Sequence, residues 1–236
     1  MRTTLITIFF SLALAAVAQE NIYVPFFTSK EAPQLEAILP APPDYGSLNF
    51  TADCQQYQWG LAQRVTDRGR QAREDAFLNA DFFLQRFSPA MHRELSAKAY
   101  PVLYRLIART HATEWNCDGP VKAYHHRVRP YQQFHEATSV PEHENPDDHT
   151  SYPSGHTMAS WLVGMVLSAI DTDHATEIMQ VAYQLGQSRV IVGFHYQSDV
   201  DAGRLAASIL FARMCAEPEF VSMLNQAREE LGIKGI

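Results

Sequence analysis

The run from Met158 to Ile170, Met-Ala-Ser-Trp-Leu-Val-Gly-Met-Val-Leu-Ser-Ala-Ile, does most to limit what this chain can fold into. It is too short to span a bilayer and apolar on every side, so as a helix it belongs inside a core with other elements packed around it. Elsewhere the apolar spacing is helical. Tyr57, Leu61 and Val65 share one stripe, and Ala72, Ala76, Ala80 and Phe83 form another after Gly69. Ser88-Pro89 reads as a helix start, followed by Leu95, Ala99, Val102, Leu103, Leu106 and Ile107 with a kink near Pro101. A later helix buries Leu205, Ile209 and Ala212. Period-two alternation is scarce, so the expected fold class is all-α, a single compact helical bundle.

Residues 1–18 combine a basic Arg2, an apolar run from Leu5 and the small-residue end Ala16-Val17-Ala18, the pattern of a secretory signal peptide cut after Ala18. A periplasmic or secreted protein follows. Residues 19–49 are an extended Pro-rich arm, with Leu39-Pro-Ala-Pro-Pro43 forbidding regular helix or central strand. Residues 50–236 make the helical domain. Without Arg2, 18 basic residues face 26 acidic ones, so the bulk field suits neither a nucleic-acid polymer nor an anionic membrane. An anion site must then be a local cluster of cations. Cys54, Cys117 and Cys215 allow one disulfide of unspecified pairing, and none forms a CxxC.

Three stretches look built for one anion. The first is Lys122-Ala-Tyr-His-His-Arg127-Val-Arg129-Pro130, where Lys122 and Arg129 lie two helical turns apart and Pro130 puts Arg129 at a helix-to-loop boundary. Arg127 points elsewhere, to packing or a surface pair. The second is Pro153-Ser154-Gly155-His156 before the apolar helix: Ser154 is a natural N-cap, Gly155 admits close backbone approach, and the helix start seats an anion. The third is Ser188-Arg189 followed by His195 and Asp199, in which Ser188 and Arg189 offer a hydroxyl and a fixed cation. His195 and Asp199, four apart, would share a helix face, so the carboxylate can take the imidazole's far N–H and leave the other nitrogen as a nucleophile. Between the first two stretches, Tyr131 to Tyr152 is a polar loop rich in His and carboxylates, read as a solvated rim rather than a metal site.

Lys-x6-Arg-Pro, Pro-Ser-Gly-His and Ser-Arg-x5-His-x3-Asp together resemble the three-part pattern of the type 2 phosphatidic acid phosphatase and vanadium haloperoxidase superfamily. With the Leu-Pro-x-Pro-Pro arm, Thr66-Asp-Arg-Gly-Arg70 and Glu74-Asp75-Ala76, the chain is most similar to class A bacterial non-specific acid phosphatases. Val192, Phe194 and Tyr196 depart from the nearest members. The resemblance implies hydrolysis of small phosphate monoesters, with a phosphohistidine on His195, Asp199 orienting it, and His156 as general acid and base. Lys122, Arg129, Ser154, Gly155 and Arg189 would hold the phosphoryl oxygens. It implies no cofactor, vanadate as an inhibitor or phosphate mimic, a mildly acid optimum, phosphotransfer to alcohols and a homo-oligomer. The rivals are a vanadium haloperoxidase, usually a longer chain, and an exported phosphate-binding module, which would have no use for the two histidines. A membrane lipid phosphatase would need several spanning helices.

Overall fold

The computed structural model describes residues 24–233; the signal peptide expected over residues 1–18 lies outside them. Within the arm a single turn, Leu35–Ile38 (α1), interrupts extended chain. The arm is pinned to the domain by Phe27, Leu35 and Leu39, which are buried in the core. Leu48–Gln63 (α2) opens on Ser47, Asp67–Glu74 (α3) on Thr66 and Ala80–Phe87 (α4) on Asn79, each cap accepting a first-turn backbone N–H. Pro101–His125 (α5) begins with its proline at the first position and ends at His126, which is left-handed. A turn at Pro130–Gln133 (α6) and a 3₁₀ turn at Pro141–His143 punctuate the following loop. Gly155–Ile170 (α7) is capped by Ser154, and Ala175–Val192 (α8) is stopped by a left-handed Gly193. Gln197–Met214 (α9) and Pro218–Glu230 (α10) complete the bundle.

The apolar helix sits where its composition requires. α7 is packed against α5, α8, α9 and α10, with Met158, Leu162, Val163, Val166, Leu167 and Ile170 all buried. α2 and α3 lie on α8, and α4 on α5. No strand occurs among the described residues, and none of their helices is long and apolar enough to cross a membrane.

Several local expectations are corrected. The stripe from Ala72 to Phe83 is divided between α3 and α4, and Val65 is exposed because α2 has already ended. Ser88 closes α4 instead of opening a helix, its hydroxyl donating to the Leu84 carbonyl, and Pro101 starts α5 rather than kinking it. The proline inside a helix is Pro120. On α9 the buried face is Ala202, Ala206, Ala207, Leu210 and Met214, whereas Leu205 and Ala212 are exposed and Ile209 is half-buried. The small residues face the neighbouring helices because α9 lies too close for larger ones. All three cysteines are free thiols.

One close approach sets the site. A Cβ on Gly203 of α9 would stand 2.8 Å from the Ser154 carbonyl oxygen and 3.0 Å from Thr157 Cβ, so only glycine lets α9 lie against the start of α7. Gly203→Ala is therefore expected to cost about 1–3 kcal/mol through overpacking, read from the urea midpoint. Unchanged stability would mean that the contact opens freely.

Candidate active site

Backbone hydrogen bonds stitch the three motif stretches together. Ser151 N–H donates to the Arg127 carbonyl (3.1 Å), Ser154 N–H to the Asp199 carbonyl (3.0 Å) and His195 N–H to the Arg189 carbonyl (3.3 Å). Gly193 provides the left-handed turn after α8 (φ +94°) that brings Phe194 and His195 back over Arg189. His195 thus precedes α9 instead of sharing a helix face with Asp199.

The tautomer of His195 follows from its partners. Nδ1 is 2.8 Å from the Ser151 carbonyl, which can only accept, so Nδ1 carries the proton. Nε2 is 3.1 Å from Arg129 Nη1, which can only donate, so Nε2 holds a lone pair. The Asp199 carboxylate is 3.5 Å from Nδ1, beyond a good hydrogen bond, and the Ser151 carbonyl takes the N–H expected to go to it. Asp199 instead accepts from the Ser151 hydroxyl (2.7 Å), the Tyr196 N–H (2.9 Å) and Arg127 Nη1 (2.5 Å). Burial raises its pKa above the ordinary carboxyl value, against Arg127, Ser151 and Tyr196.

Of the two roles expected for Arg127, the structure shows packing and not a surface pair. It is buried between two carboxylates, with Nη2 donating to Asp53 Oδ2 at 2.8 Å as well as Nη1 to Asp199. Ser188 is also reassigned: its hydroxyl donates to Asp75 Oδ2 at 2.6 Å and accepts from Arg68 Nη2.

Those cations converge from three elements. Lys122, in the last turn of α5, pairs with Asp118 Oδ2 at 2.7 Å. Arg129 lies beyond the end of that helix, so the two-turn spacing does not align it with Lys122; its Nε donates to Asp148 (2.7 Å) and Nη2 to Thr150. Arg189 is 3% exposed, and its Nε and Nη1 meet no acceptor. Burial, then Arg129, pushes this guanidinium down to about 9, with Asp75 opposing. It remains a cation below that pH, buried with two donors that meet no acceptor. A Cβ on Gly155 would stand 2.9 Å from Lys122 Nζ, so the start of α7 closes the cluster. The Ser154 hydroxyl accepts from Thr157 N–H and Thr157 Oγ1, which leaves its own proton free to donate.

His156 donates from Nε2 to the Ala76 carbonyl (3.0 Å), so Nδ1 is the nitrogen that can exchange a proton. Burial first, then Arg189, His195 and Lys122, hold its pKa well below the usual histidine value. His195 is lowered likewise by burial, Arg129, Arg189 and Lys122. Beside His156, Gly155 and Lys122 opens a cavity of about 280 Å³. A larger one, about 420 Å³, lies on the arm side between Pro40 and Leu205 and contains none of these residues. Among the described residues no three His, Cys, Asp or Glu side chains are grouped to hold an ion.

Sequence reading missed Ser151, Asp53, Asp148 and Ala76. Ser151 stands just ahead of Pro153-Ser154-Gly155-His156, whereas Asp53 is a lone acid on a polar helix and carries no signal. Truncating Arg127 to Met leaves Asp53 and Asp199 buried and unpaired, with an expected loss of about 3–5 kcal/mol in urea unfolding. A loss below about 1 kcal/mol would show that the triad is not a structural anchor.

A model of the PAP2 superfamily matches residues 85–218, a span that contains all eight residues expected in the site. The chain is 38% identical over 198 residues to a non-specific acid phosphatase of Providencia stuartii, covering 82% of this chain and 79% of that protein. It is 34% identical over 236 residues to a non-specific acid phosphatase of Salmonella typhi, covering 99% and 94%. An acid phosphatase of Zymomonas mobilis subsp. mobilis is 31% identical over 194 residues, covering 82% and 74%. Matched over more than half its length by the family model, and along most of it by these relatives, the chain belongs to the PAP2 superfamily.

Proposed function

We propose that this chain is an acid phosphatase that hydrolyses small phosphate monoesters through a phosphohistidine on His195, with residues 50–236 as the catalytic domain and no metal in the reaction. The observation that carries the proposal is the fixed tautomer of His195, whose Nε2 lone pair faces Arg129 beside a buried Arg189 with two donors that meet no acceptor. The relatives named acid phosphatases support the substrate class.

In the proposed reaction the phosphoryl oxygens take N–H donors from Arg129, Arg189 and Lys122, the Ser154 hydroxyl and the Gly155 N–H. Arg129 exchanges its contact with Nε2 for one with the substrate, which uncovers the nucleophile. The Nε2 lone pair attacks phosphorus in line, the P–O ester bond breaks, and the leaving oxygen keeps that electron pair and takes a proton from His156 Nδ1. Asp199 stabilises the cationic imidazole through the Ser151 framework and by its charge 3.5 Å away. Water then attacks phosphorus and gives a proton to His156, and the N–P electron pair returns to Nε2. An alcohol in place of water would give phosphotransfer.

The proposed pH dependence starts from the setting of His156, whose pKa burial and the nearby cations depress. The cations that oppose its protonation are those a bound phosphoryl group neutralises, so binding raises its proton affinity. The proton arrives with the substrate monoanion, which is lost as pH rises through the second phosphate pKa near about 6. The exported location is proposed from the pattern of residues 1–18.

Hydrolysis of p-nitrophenyl phosphate in the presence of EDTA is expected, with kcat/KM falling roughly tenfold per pH unit above about pH 7. His195→Ala should lose at least about a thousandfold in rate. His156→Ala should accumulate phosphoenzyme, because nitrophenolate leaves without a proton. An inert parent enzyme, full activity in His195→Ala, or a maximum above about pH 8 would each overturn part of this mechanism.

A further inference from the structure

The cavity of about 280 Å³ meets the proposed phosphate seat at Lys122, Gly155 and His156, and its other walls carry chemistry that phosphoryl transfer does not use. Glu114, Asp118 and Lys122 follow one another at four-residue intervals along one face of α5. Glu114 is 2% exposed, lines the cavity, and its Oε1 meets no donor. A Cβ on Gly155 would stand 2.7 Å from Asp118 Oδ2 and 3.5 Å from Glu114 Oε1, so both carboxyls lie against the start of α7 that carries His156. Two further lining residues, Trp115 and Phe77, are 72% and 65% exposed and offer aromatic surface to whatever enters.

Resting on the phosphatase reading above, we propose that this cavity seats the leaving group, and that Glu114 and Asp118 select neutral or cationic leaving groups bearing hydrogen-bond donors and reject those with a second negative charge. Polyol and amino-alcohol phosphates fit, whereas phosphorylated carboxylic acids and diphosphates do not. When a phosphoryl group engages Lys122, Asp118 loses its partner and its charge is turned toward the cavity. Burial and then Asp118 raise the Glu114 pKa well above the usual carboxyl range, with Lys122 opposing, so at acid pH Glu114 can both donate to and accept from a hydroxyl. An ammonium group adds attraction to the aromatic faces of Trp115 and Phe77. An anionic leaving group meets the charge of Asp118 once Lys122 has turned to the phosphoryl group, and has no donor to offer Glu114 Oε1.

The test uses the whole chain and three esters of equal reach at about pH 6: 3-aminopropyl, 3-hydroxypropyl and 2-carboxyethyl phosphate. The expected order of kcat/KM is amine, then alcohol, then carboxylate, with the carboxylate at least about tenfold below the alcohol. In the Glu114→Gln/Asp118→Asn double variant the three values should fall within about threefold of one another, with inhibition by inorganic phosphate retained as the sign of an intact seat. If the double variant does not fold, Asp118→Asn alone should narrow the carboxylate penalty by at least about threefold, and an unchanged penalty overturns the inference. Equal rates in the parent, or the parent's order persisting in the double variant, overturn it while the phosphatase reading stands. Hydrolysis of none of the esters overturns both.

Discussion

Arg127, buried between Asp53 of α2 and Asp199 of α9, is the contact on which the geometry of the site depends. An ion triad this deep is costly to desolvate, and its members stay charged only while they stay together. Each therefore holds the others in place. Asp199 is fixed at the first turn of α9 by the Tyr196 N–H and holds the Ser151 hydroxyl. Ser151, whose own N–H is tied to the Arg127 carbonyl, points its carbonyl at His195 Nδ1. The tautomer of His195 is thus set by backbone that the triad immobilises. A direct His–Asp hydrogen bond would have fixed the ring through one side chain, which is less rigid than an anchored carbonyl.

The rest of the site is a controlled excess of positive charge in an acidic protein. Lys122 and Arg129 have carboxylate partners in the ligand-free site, Asp118 and Asp148, whereas Arg189 has unpartnered donors. In the proposed mechanism the partnered cations keep the site stable and the free donors of Arg189 pull on an entering anion. Burial and the same cations depress the pKa of both histidines. The proposed attack needs one of them neutral, and the proposed acid regains proton affinity when the anion arrives, so a single electrostatic arrangement suits both roles.

How much of this was legible depends on whether a residue's task is local. The apolar run at Met158–Ile170, the Ser154 cap and the order of the three motifs follow from spacing over a few residues, and the all-α bundle follows from them. Pro101 was misjudged because a proline beginning a helix and one kinking it leave the same trace when the flanks are apolar. Leu205 was misjudged because α9 buries its alanines against close neighbours, so hydrophobic size pointed to the wrong face. Arg127 and Arg129 are alternate residues in one basic stretch, and the motif spacing tells them apart: one locks the core and the other faces His195 Nε2. The partner that makes Arg127 a lock, Asp53, is 74 residues away in the chain, and no local pattern connects the two.

Phe194 and Tyr196 bear on the cations as well as on packing. The Phe194 ring lies beneath both anion-facing guanidiniums, 4.8 Å from Arg189 and 5.6 Å from Arg129, and Tyr196 lies 4.1 Å beneath Arg127. An aromatic face attracts a desolvated guanidinium without adding a formal negative charge and without occupying its N–H donors. A carboxylate in the same place would neutralise Arg189 and compete with the phosphoryl oxygens for its fork. Aromatic support therefore resolves the conflict in such a site, where cations must be buried in fixed positions and still be available to a ligand.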